Sequence, residues 1–234
     1  MARRRAEVQL DPETLLSAYA NGAFPMADPD TGRIAYYRCD PRCVIPLDER
    51  FHVPKSLART VRSGRFEIRT DTCFGRVMRE CATDRNEENR SWISEGIVAA
   101  YTRLHELGFA HSVEAWRVDP AEGAPRLVGG LYGVSLGRAF FGESMFSRPA
   151  LGGRDASKAC LVALVEILRR RGFLLLDSQY ANDHILRFGA IEIPVEEYMS
   201  RLEPAVCAPT AWGAPPERHD DTEARPRNDE PQEG

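Results

Sequence analysis

Two spacings of apolar residues run along the chain and predict a mixture of helices and strands. Helical spacing occurs in seven stretches, at residues 12–21, 54–63, 74–81, 92–107, 156–171, 184–188 and 195–202. Strand-like alternation or short apolar runs occupy residues 35–39, 42–45, 65–69, 110–118, 128–147, 173–176 and 191–193. Asp11, Asp71 or Thr72, and Asp155 stand where the N-terminal caps of helices are expected. The pattern is typical of an α+β protein.

The segment from Val128 to Ser147, VGGLYGVSLGRAFFGESMFS, predicts two strands joined by a tight turn at Leu136-Gly137-Arg138. Its glycines leave little side chain to pack, which a strand tolerates where something must approach its backbone closely. Glu143 follows the apolar run at a predicted strand end. A carboxylate there is either a salt-bridged structural group or a recognition group at the mouth of a site.

A β-α-β unit follows from the order of a strand ending at Glu143, a helix from Ala156 and a strand ending at Asp177. Such a crossover joins parallel strands, normally adjacent ones, with a right-handed connection. Glu143 and Asp177 are therefore expected at the same, carboxyl-terminal edge of neighbouring strands. Open α/β sheets bind their ligands at that edge, so we expect the two acids to converge on a site.

Composition and charge are those of an ordinary soluble protein with a polar tail. No apolar run in the 234 residues approaches the roughly 18 to 20 that a membrane span needs, and the basic start lacks the apolar stretch of a secretory signal. A cytoplasmic location is therefore expected. Residues 215–234 hold seven acids and three arginines, which accounts for the formal net charge of −4 and predicts disorder. The six cysteines lack a C-x-x-C pair, so free thiols are expected rather than a metal site.

A series of motifs resembles the leucyl/phenylalanyl-tRNA–protein transferases of bacteria. The motifs are AYANGAFPM, the DPR at residues 40–42, RSWISEGIVAAYTRLHELGFAHSVEAW, LVGGLYGV, FFGESMFS, DASKA, LLLDSQ and FGAIEIP. Each is weak alone, but their order and spacing over residues 10–202 are specific. Two departures stand out. Tyr36-Tyr37 replaces a pair of tryptophans, and residues 149–153 form an insertion beside the expected site.

The resemblance implies transfer of Leu or Phe, with Met as a further substrate, from aminoacyl-tRNA to the N-terminal α-amino group of proteins beginning with Arg or Lys. The product would carry a destabilising N-terminus and be degraded by the Clp protease. The resemblance also implies a small N-terminal α/β domain at residues 1–52 and an acyl-CoA N-acyltransferase-like (GNAT-like) domain with a mixed sheet at residues 53–206. A disordered acidic tail would occupy residues 207–234. No metal, organic cofactor or membrane is implied.

The resemblance assigns catalytic roles to Asp177, Gln179 and Glu143. In the family's D-x-Q motif, the Asp is proposed to polarise the Gln, which assists removal of the amine proton. Because a neutral amide is a poor base, we favour a positioning role for Gln179, with Asp177 as its electrostatic anchor. The alternative is that Asp177 only caps the following turn. Glu143 matches the acid of G-E-S-M-F, which is proposed to bond near the reacting centre or to the cationic residue of the acceptor.

Binding residues are implied in three groups. The pocket for the Leu or Phe side chain would be lined by apolar residues that by pattern alone are ordinary core, namely Leu131, Phe140, Met145 and Leu176. The terminal adenosine of the tRNA would lie near the aromatic residues Trp92, Tyr101 and Tyr37. The acceptor stem would contact a basic stripe on one helix, formed by Lys55, Arg59 and Arg62, although such a stripe is otherwise a solvated face. The histidines at 105, 111 and 184 are expected to be structural.

Two other functions remain open from the residues. An acyl-CoA acetyltransferase would cradle pyrophosphate at the start of the crossover helix, and Leu151-Gly152-Gly153-Arg154 superficially offers such a loop. Asp155 would repel the pyrophosphate, however, and the usual Arg/Gln-x-x-Gly-x-Gly/Ala spacing is absent. A non-catalytic tRNA-binding module would keep the basic stripe and Trp92 but would not need Asp177 and Gln179. Transfer of Phe from charged tRNA to an Arg-initiated peptide separates the three functions.

Overall fold

The computed structural model describes residues 10–83, 91–118 and 123–213. Its helices are α1 (Pro12–Ala20), α2 (Lys55–Arg62), α3 (Phe74–Ala82), α4 (Glu95–Glu106), α5 (Ala156–Arg170), α6 (Asp183–Leu186) and α7 (Val195–Cys207). Its strands are β1 (Phe24–Ala27), β2 (Ile34–Tyr37), β3 (Arg42–Val44), β4 (Glu67–Thr70), β5 (Ala110–Val118), β6 (Pro125–Leu136), β7 (Ala139–Ser147), β8 (Leu175–Gln179) and β9 (Ile191–Ile193). The sequence pattern missed β1, and a 3-10 turn at Pro149–Leu151 occupies part of the insertion.

The larger sheet has the strand order β4-β5-β6-β7-β8-β3-β9, and β1 pairs with β2 in a separate hairpin. Neighbouring strands are antiparallel except β7 and β8, which run parallel with Ala139 to Phe141 opposite Leu175 to Asp177. The predicted α+β class, mixed sheet and β-α-β crossover are therefore confirmed. The GNAT-like fold and the domain boundaries stay predictions. β3, which precedes the predicted boundary at residue 52, lies inside the larger sheet.

Helices cover both faces of this sheet, so successive residues of a central strand enter different cores. In β6, Leu131 packs in the core that contains residues of α5, whereas Tyr132 packs in the core that contains residues of α1, α3, α4 and α7. The period of two along a strand produces this division. We call the two sides the α5 face and the α4 face. The division separates the side chains of the site described below.

The glycines of β6 allow close packing, and the chain itself supplies the approaching groups. A Cβ atom at Gly129 would lie 2.4 Å from the Cβ of Ala156, at the start of α5. At Gly133 it would lie 2.3 Å from the carbonyl oxygen of Phe141 on β7. Both distances are too short for real atoms. The prediction of a close approach is confirmed, and these glycines seat α5 and β7 against β6.

Helix starts differ from the sequence prediction where tertiary contacts take over the capping. Neither Asp71 nor Thr72 is the N-cap of α3; Cys73 has that position. The carboxylate of Glu114 on β5 accepts the backbone N–H groups of Thr72 and Cys73, each at 2.9 Å. A carboxylate from a distant strand thus satisfies the amides that a local side chain was expected to bind.

Asp155 precedes α5, as predicted, but its side chain caps nothing. Its backbone has φ 67°, and its Oδ1 accepts instead from Lys158 Nζ at 2.6 Å. α4 begins at Glu95 after the cap Ser94, so Trp92 lies before the helix that was predicted to contain it. α7 continues through Pro204 to Cys207, five residues beyond its predicted end.

The first residues of the predicted tail are packed against the body. Trp212 is 5 % exposed, stacks on His111 with ring centroids 4.3 Å apart and donates from Nε1 to Asp71. Residues 214–234 and most of the predicted charged loop at 83–90 lie outside the described residues. Within the described part, no helix is long and apolar enough to cross a membrane. All six cysteines are free thiols.

Candidate active site

Glu143 lies at a bulge in β7. Tyr132 of β6 faces Ser144 and Gly133 faces Gly142, so Glu143 between them has no residue opposite. A bulge re-aims a side chain at the edge of regular pairing. The parallel pairing with β8 extends to Phe141 and Asp177, two residues before Glu143. The expected meeting of Glu143 with the end of β8 is confirmed, although β7 itself continues to Ser147.

The carboxyl group of Glu143 is surrounded by neutral partners. Tyr19 Oη donates to Oε1 at 2.7 Å, and Gln179 Nε2 donates to the same oxygen at 3.2 Å. Tyr101 Oη lies 3.4 Å from Oε2, and the hydroxyls of Tyr19 and Tyr101 are also bonded to each other. No cation in the described chain forms an ion pair with Glu143. The structural salt bridge that the sequence left open is therefore not formed here.

This environment gives Glu143 an unusual acidity. Burial raises its pKa to about 8, and the negative charge of Asp177 acts in the same direction. The hydrogen bonds from Tyr19 and Tyr101 and the charge of Arg42 oppose the rise but do not cancel it. A carboxyl group with this pKa can take up or release a proton near neutral pH.

Asp177 forms a buried ion pair with Arg42, which the sequence did not predict. Arg42 Nε lies 2.9 Å from Oδ1 and Nη2 lies 2.5 Å from Oδ2, and both side chains are at most 1 % exposed. Tyr198 Oη donates to Oδ2 at 2.7 Å. Burial disfavours the charged guanidinium, but the hydrogen bonds and charge of Asp177 outweigh it and raise the pKa of Arg42. The charge of Asp177 is thus balanced within the fold.

Asp177 holds the backbone of Gln179 rather than its side chain. Its Oδ1 accepts the backbone N–H of Gln179 at 2.9 Å, in the turn-capping geometry that the sequence offered as an alternative. Gln179 has φ 59°, a left-handed conformation that is uncommon for a residue with a side chain. Residues held this way cluster at functional sites. The turn directs the Gln179 amide to Glu143.

A cavity of about 1050 Å³ opens beside these groups. Asp177, Gln179 and Glu143 line it, together with three apolar residues predicted to bind the aminoacyl side chain, Leu131, Met145 and Leu176. Phe140 does not line it. Its ring is fully buried in the core, 5.3 Å from the ring of Trp212 between centroids. Six of the seven residues predicted for catalysis and for the aminoacyl pocket therefore meet around one space.

None of the aromatic and basic residues predicted to bind tRNA lines this cavity. Tyr101 is fully buried with its Oη 3.4 Å from Glu143, the backbone carbonyl of Trp92 accepts the N–H of Ala27, and Tyr37 is 39 % exposed at the end of β2. The basic stripe is exposed on α2, and none of its members forms an ion pair with a described acid; it consists of Lys55, Arg59 and Arg62. Tyr101 thus contacts the cavity wall through Glu143, and the basic stripe is an exposed surface on α2.

Comparison with known proteins decides the family. The family model for leucyl/phenylalanyl-tRNA protein transferase matches residues 44–203, and that for its N-terminal domain matches residues 8–40. The chain belongs to this family. Leucyl/phenylalanyl-tRNA–protein transferases of Akkermansia muciniphila and Rubrobacter xylanophilus are 53% and 54% identical to it over 199 residues, covering 85% of this chain and 97% and 96% of theirs. The enzyme of Gloeobacter violaceus is 50% identical over 202 residues, or 86% of this chain and 97% of its own. As a family member, the chain is an aminoacyltransferase.

Three residues of this transferase site were missed from the sequence: Tyr19, Arg42 and Tyr198. Tyr19 stands in the AYANGAFPM motif and Arg42 in DPR, so membership of a family motif was a signal for both. Tyr198 lies outside the motifs and carried no such signal. Tyr19 and Arg42 reach Glu143 and Asp177 from 124 and 135 residues away in sequence, and Tyr198 reaches Asp177 from 21 residues away.

Two histidines of this family member form hydrogen bonds within the fold. Asp71, His105 and His111 bring metal-ligand types of atom within 4.8 Å of one another. His111 Nδ1 lies 2.9 Å from Asp71 and its Nε2 3.1 Å from the carbonyl oxygen of Gly108. His105 Nδ1 lies 2.8 Å from the carbonyl oxygen of Ala110. These atoms are engaged in hydrogen bonds that join α4, β5 and the turn before α3.

Proposed function

We propose that this enzyme transfers leucine or phenylalanine from its tRNA to the α-amino group of proteins that begin with Arg or Lys. The names of the family and of the relatives support the reaction. The observation that carries the proposal is the contact of Glu143 with Gln179 at the wall of a cavity that also has an apolar lining. A proton acceptor and an apolar pocket are what transfer of an apolar aminoacyl group requires.

The apolar part of the cavity would bind the aminoacyl side chain. Leu131 and Leu176 project from the central strands β6 and β8, and Met145 lies on β7 just beyond the bulge. A flexible thioether adapts to both an aliphatic and an aromatic guest. Side chains branched at the β-carbon would be crowded by the strand residues close to the ester. The pocket therefore favours Leu and Phe over Ile and Val.

Glu143 would accept the proton that the attacking amine loses. The amine nitrogen forms a bond to the ester carbonyl carbon, the bond from that carbon to the ribose oxygen breaks, and the proton passes through Glu143 to the leaving oxygen. An α-amino group has a pKa of about 7.7 to 8.0, close to the value of about 8 for Glu143. Matched acidities suit a group that takes a proton and then returns it.

Gln179 and Asp177 would act by holding the reacting groups in place. The Gln179 amide bonds to Glu143 and also lines the cavity, so it can orient both the base and the incoming amine. Asp177 fixes the turn that presents Gln179, and Arg42 neutralises Asp177. In this proposal Glu143 and Gln179 contact the reacting groups, and Asp177 is a positioning residue.

The proposal extends to the partners. Leu-tRNA and Phe-tRNA would be the donors, with the terminal adenosine near Tyr101, Trp92 and Tyr37 and the acceptor stem on the basic stripe. The basic side chains of that stripe are exposed and carry no neutralising acid among the described residues, which suits contact with phosphates. The modified proteins would pass to the Clp protease in the cytoplasm.

The start of α5 argues against the acyl-CoA alternative. A Cβ at Gly153 would lie 2.2 Å from the carbonyl oxygen of Val128, so this glycine is required by packing on β6. The backbone N–H of Ser157 donates to Ser147 Oγ at 3.0 Å. One amide of the helix N-terminus is thus already used, and Asp155 stands beside it. Pyrophosphate would find few free donors there.

A transfer assay tests the proposal. Purified enzyme would receive tRNA charged with labelled Phe, Leu, Ile or Val, and a peptide beginning with Arg, its N-acetylated form or a peptide beginning with Glu. We expect label only on the free Arg peptide, with Leu and Phe exceeding Ile and Val by about 10- to 200-fold. Equal use of all four amino acids would contradict the pocket. Acetylation of the peptide from acetyl-CoA, without transfer from tRNA, would establish the alternative.

A further inference from the structure

Two hydroxyl groups of β6 are buried and have no hydrogen-bond partner among the described residues. They belong to Tyr132 and Ser135, and both residues are fully buried. Most buried hydroxyls in proteins are hydrogen-bonded, because an unpaired one loses its bonds to water and gains nothing in return. Phe would fill the place of Tyr132 without that cost. The fold without a bound substrate therefore does not explain why this position carries a tyrosine hydroxyl.

Tyr132 differs from Ser135 in its position relative to the cavity. Tyr132 is one of the lining residues and Ser135 is not. Tyr132 also faces Ser144 beside the bulge at Glu143. Burial and, after it, the charge of Glu143 raise the pKa of the Tyr132 hydroxyl. Its ring is held edge-on by the rings of Tyr101 and Phe74, with centroids 5.7 Å and 6.0 Å away. The hydroxyl is thus fixed near the proposed reacting centre.

The face of the sheet on which Tyr132 lies determines which part of a substrate its side chain could contact. Leu131 packs on the α5 face, where Met145 and Leu176 also lie, and this is the proposed place of the aminoacyl side chain. Tyr132 packs on the α4 face with Tyr19 and Tyr101. We therefore expect a substrate that reaches Glu143 with its aminoacyl side chain on the α5 face to place its nucleoside on the α4 face. The α4 face carries polar groups at this point, since the hydroxyls of Tyr19 and Tyr101 bond to each other and to Glu143 there.

We propose that the hydroxyl of Tyr132 binds a polar atom of the terminal nucleoside of the aminoacyl-tRNA. The inference rests on the proposed function, because it takes aminoacyl-tRNA as the donor. In this proposal an atom of the substrate forms the hydrogen bond that no described residue forms with this hydroxyl. Since the bond forms in the bound state before the reaction, it contributes to binding rather than to the chemical step.

Tyr132→Phe tests the inference, with Ser135→Ala as matched control. Both variants delete an unpaired buried hydroxyl from the same strand, but only Tyr132 is a lining residue of the cavity. For Tyr132→Phe we expect the KM and the directly measured Kd for Phe-tRNA to rise about tenfold, the cost of one lost hydrogen bond in a buried site. Its kcat should stay within about twofold and its Tm should not fall. Ser135→Ala should match the wild type in KM, Kd and kcat.

Three results would overturn the inference. An unchanged Kd for Phe-tRNA would show that the hydroxyl does not meet the donor. A fall in kcat at constant KM would place it on the reacting atoms instead. A lower Tm for Tyr132→Phe would mean that the hydroxyl has a partner within the fold. Failure of the wild type to transfer Phe would defeat the proposed function, whereas the Kd comparison would still test Tyr132 by itself.

Discussion

The side-chain amide of Gln179 donates to Oε1 of Glu143 across 3.2 Å and joins the end of β8 to the bulge of β7. The two residues are held there by different means. Glu143 is aimed by its place in the bulge, and Gln179 by a left-handed turn that Asp177 fixes. A change to either support is therefore expected to reach the other residue through this bond.

The pH dependence of transfer should report the ionisation of Glu143. Only its anion accepts a proton, and only the neutral acceptor amine attacks, so kcat/KM for the acceptor should rise with pH through about 8. Glu143→Gln should lower turnover by roughly 100-fold or more and leave a profile governed by the amine alone. Rates from pH 6 to 9.5 measure both effects.

Glu80→Gln is the matched control for this prediction. Glu80 lines the same cavity but is paired with Arg148, and it has no role in the proposed mechanism. Its profile should coincide with that of the wild type. If Glu143→Gln kept both the wild-type rate and the wild-type profile, Glu143 would not be the proton acceptor.

The stability of the fold should fall with rising pH because of Glu143. Its pKa is raised from 4.5 to about 8 in the folded chain, so the folded state binds the extra proton between these values. The favourable contribution of the neutral form is complete below pH 4.5 and is lost as the pH rises through 8. A single group changes the free energy of unfolding by at most about 1.4 kcal/mol per pH unit. Urea unfolding of the wild type and Glu143→Gln from pH 5 to 9 should give a smaller decline for the variant.

Removing the charge of Asp177 should cost both stability and turnover. Asp177→Asn leaves the buried guanidinium of Arg42 unpaired, which is expected to destabilise the fold by about 3–5 kcal/mol. It also weakens the turn that presents Gln179, so turnover should fall on the order of 100-fold, equivalent to about 2.7 kcal/mol. Urea unfolding and kinetics at a temperature where the variant is folded separate the two losses.

Tyr198→Phe is the milder companion variant. It removes one hydrogen bond to Asp177 but keeps the ion pair, so it should cost only about 0.5–1.5 kcal/mol of stability. Its turnover should stay close to that of the wild type. Near wild-type turnover of folded Asp177→Asn would reduce Asp177 to a structural group.

The basic stripe on α2 should determine the salt dependence of tRNA binding. Replacing Lys55, Arg59 and Arg62 by Ala should weaken binding and lower the slope of log K against log salt by about 2–3 units, because each lost phosphate contact removes about 0.7–0.9. A control triple variant would replace arginines that are paired with glutamates on their own helices, namely Arg103, Arg170 and Arg201. Weaker binding at an unchanged slope would place the tRNA elsewhere.

Local periodicity was sufficient to predict the β-α-β unit, but the surroundings of its two acids were not predictable from it. The parallel pairing of β7 and β8 follows from strand and helix lengths that are visible in the sequence. The partners of Asp177 and Glu143 lie 135 and 124 residues away, at Arg42 and Tyr19, and no local pattern encodes such contacts. The bulge was also missed, because one extra residue in a strand leaves the alternation nearly intact.

The misplaced caps have the same physical origin. Asp71 is a sound N-cap by composition, yet Glu114 of β5 takes the amides before α3, and Asp71 binds His111 and Trp212 instead. Phe140 was assigned to the pocket through the resemblance, whereas its ring packs on Trp212. In both cases a contact with a residue distant in sequence determined the outcome: Glu114 binds the amides before α3, and Trp212 packs against Phe140.

The buried pair of Arg42 and Asp177 makes the proposed catalytic centre depend on both ends of the chain. Arg42 and Tyr19 belong to the first 52 residues, whereas Asp177, Glu143 and Gln179 come from the later part. A fragment that holds only the later part would keep its acids and lose the cation and phenol that balance them. The later segment cannot be transplanted alone with its chemistry intact, since the pKa of Glu143 depends on the hydrogen bond of Tyr19 and the charge of Arg42, which precede the second family segment.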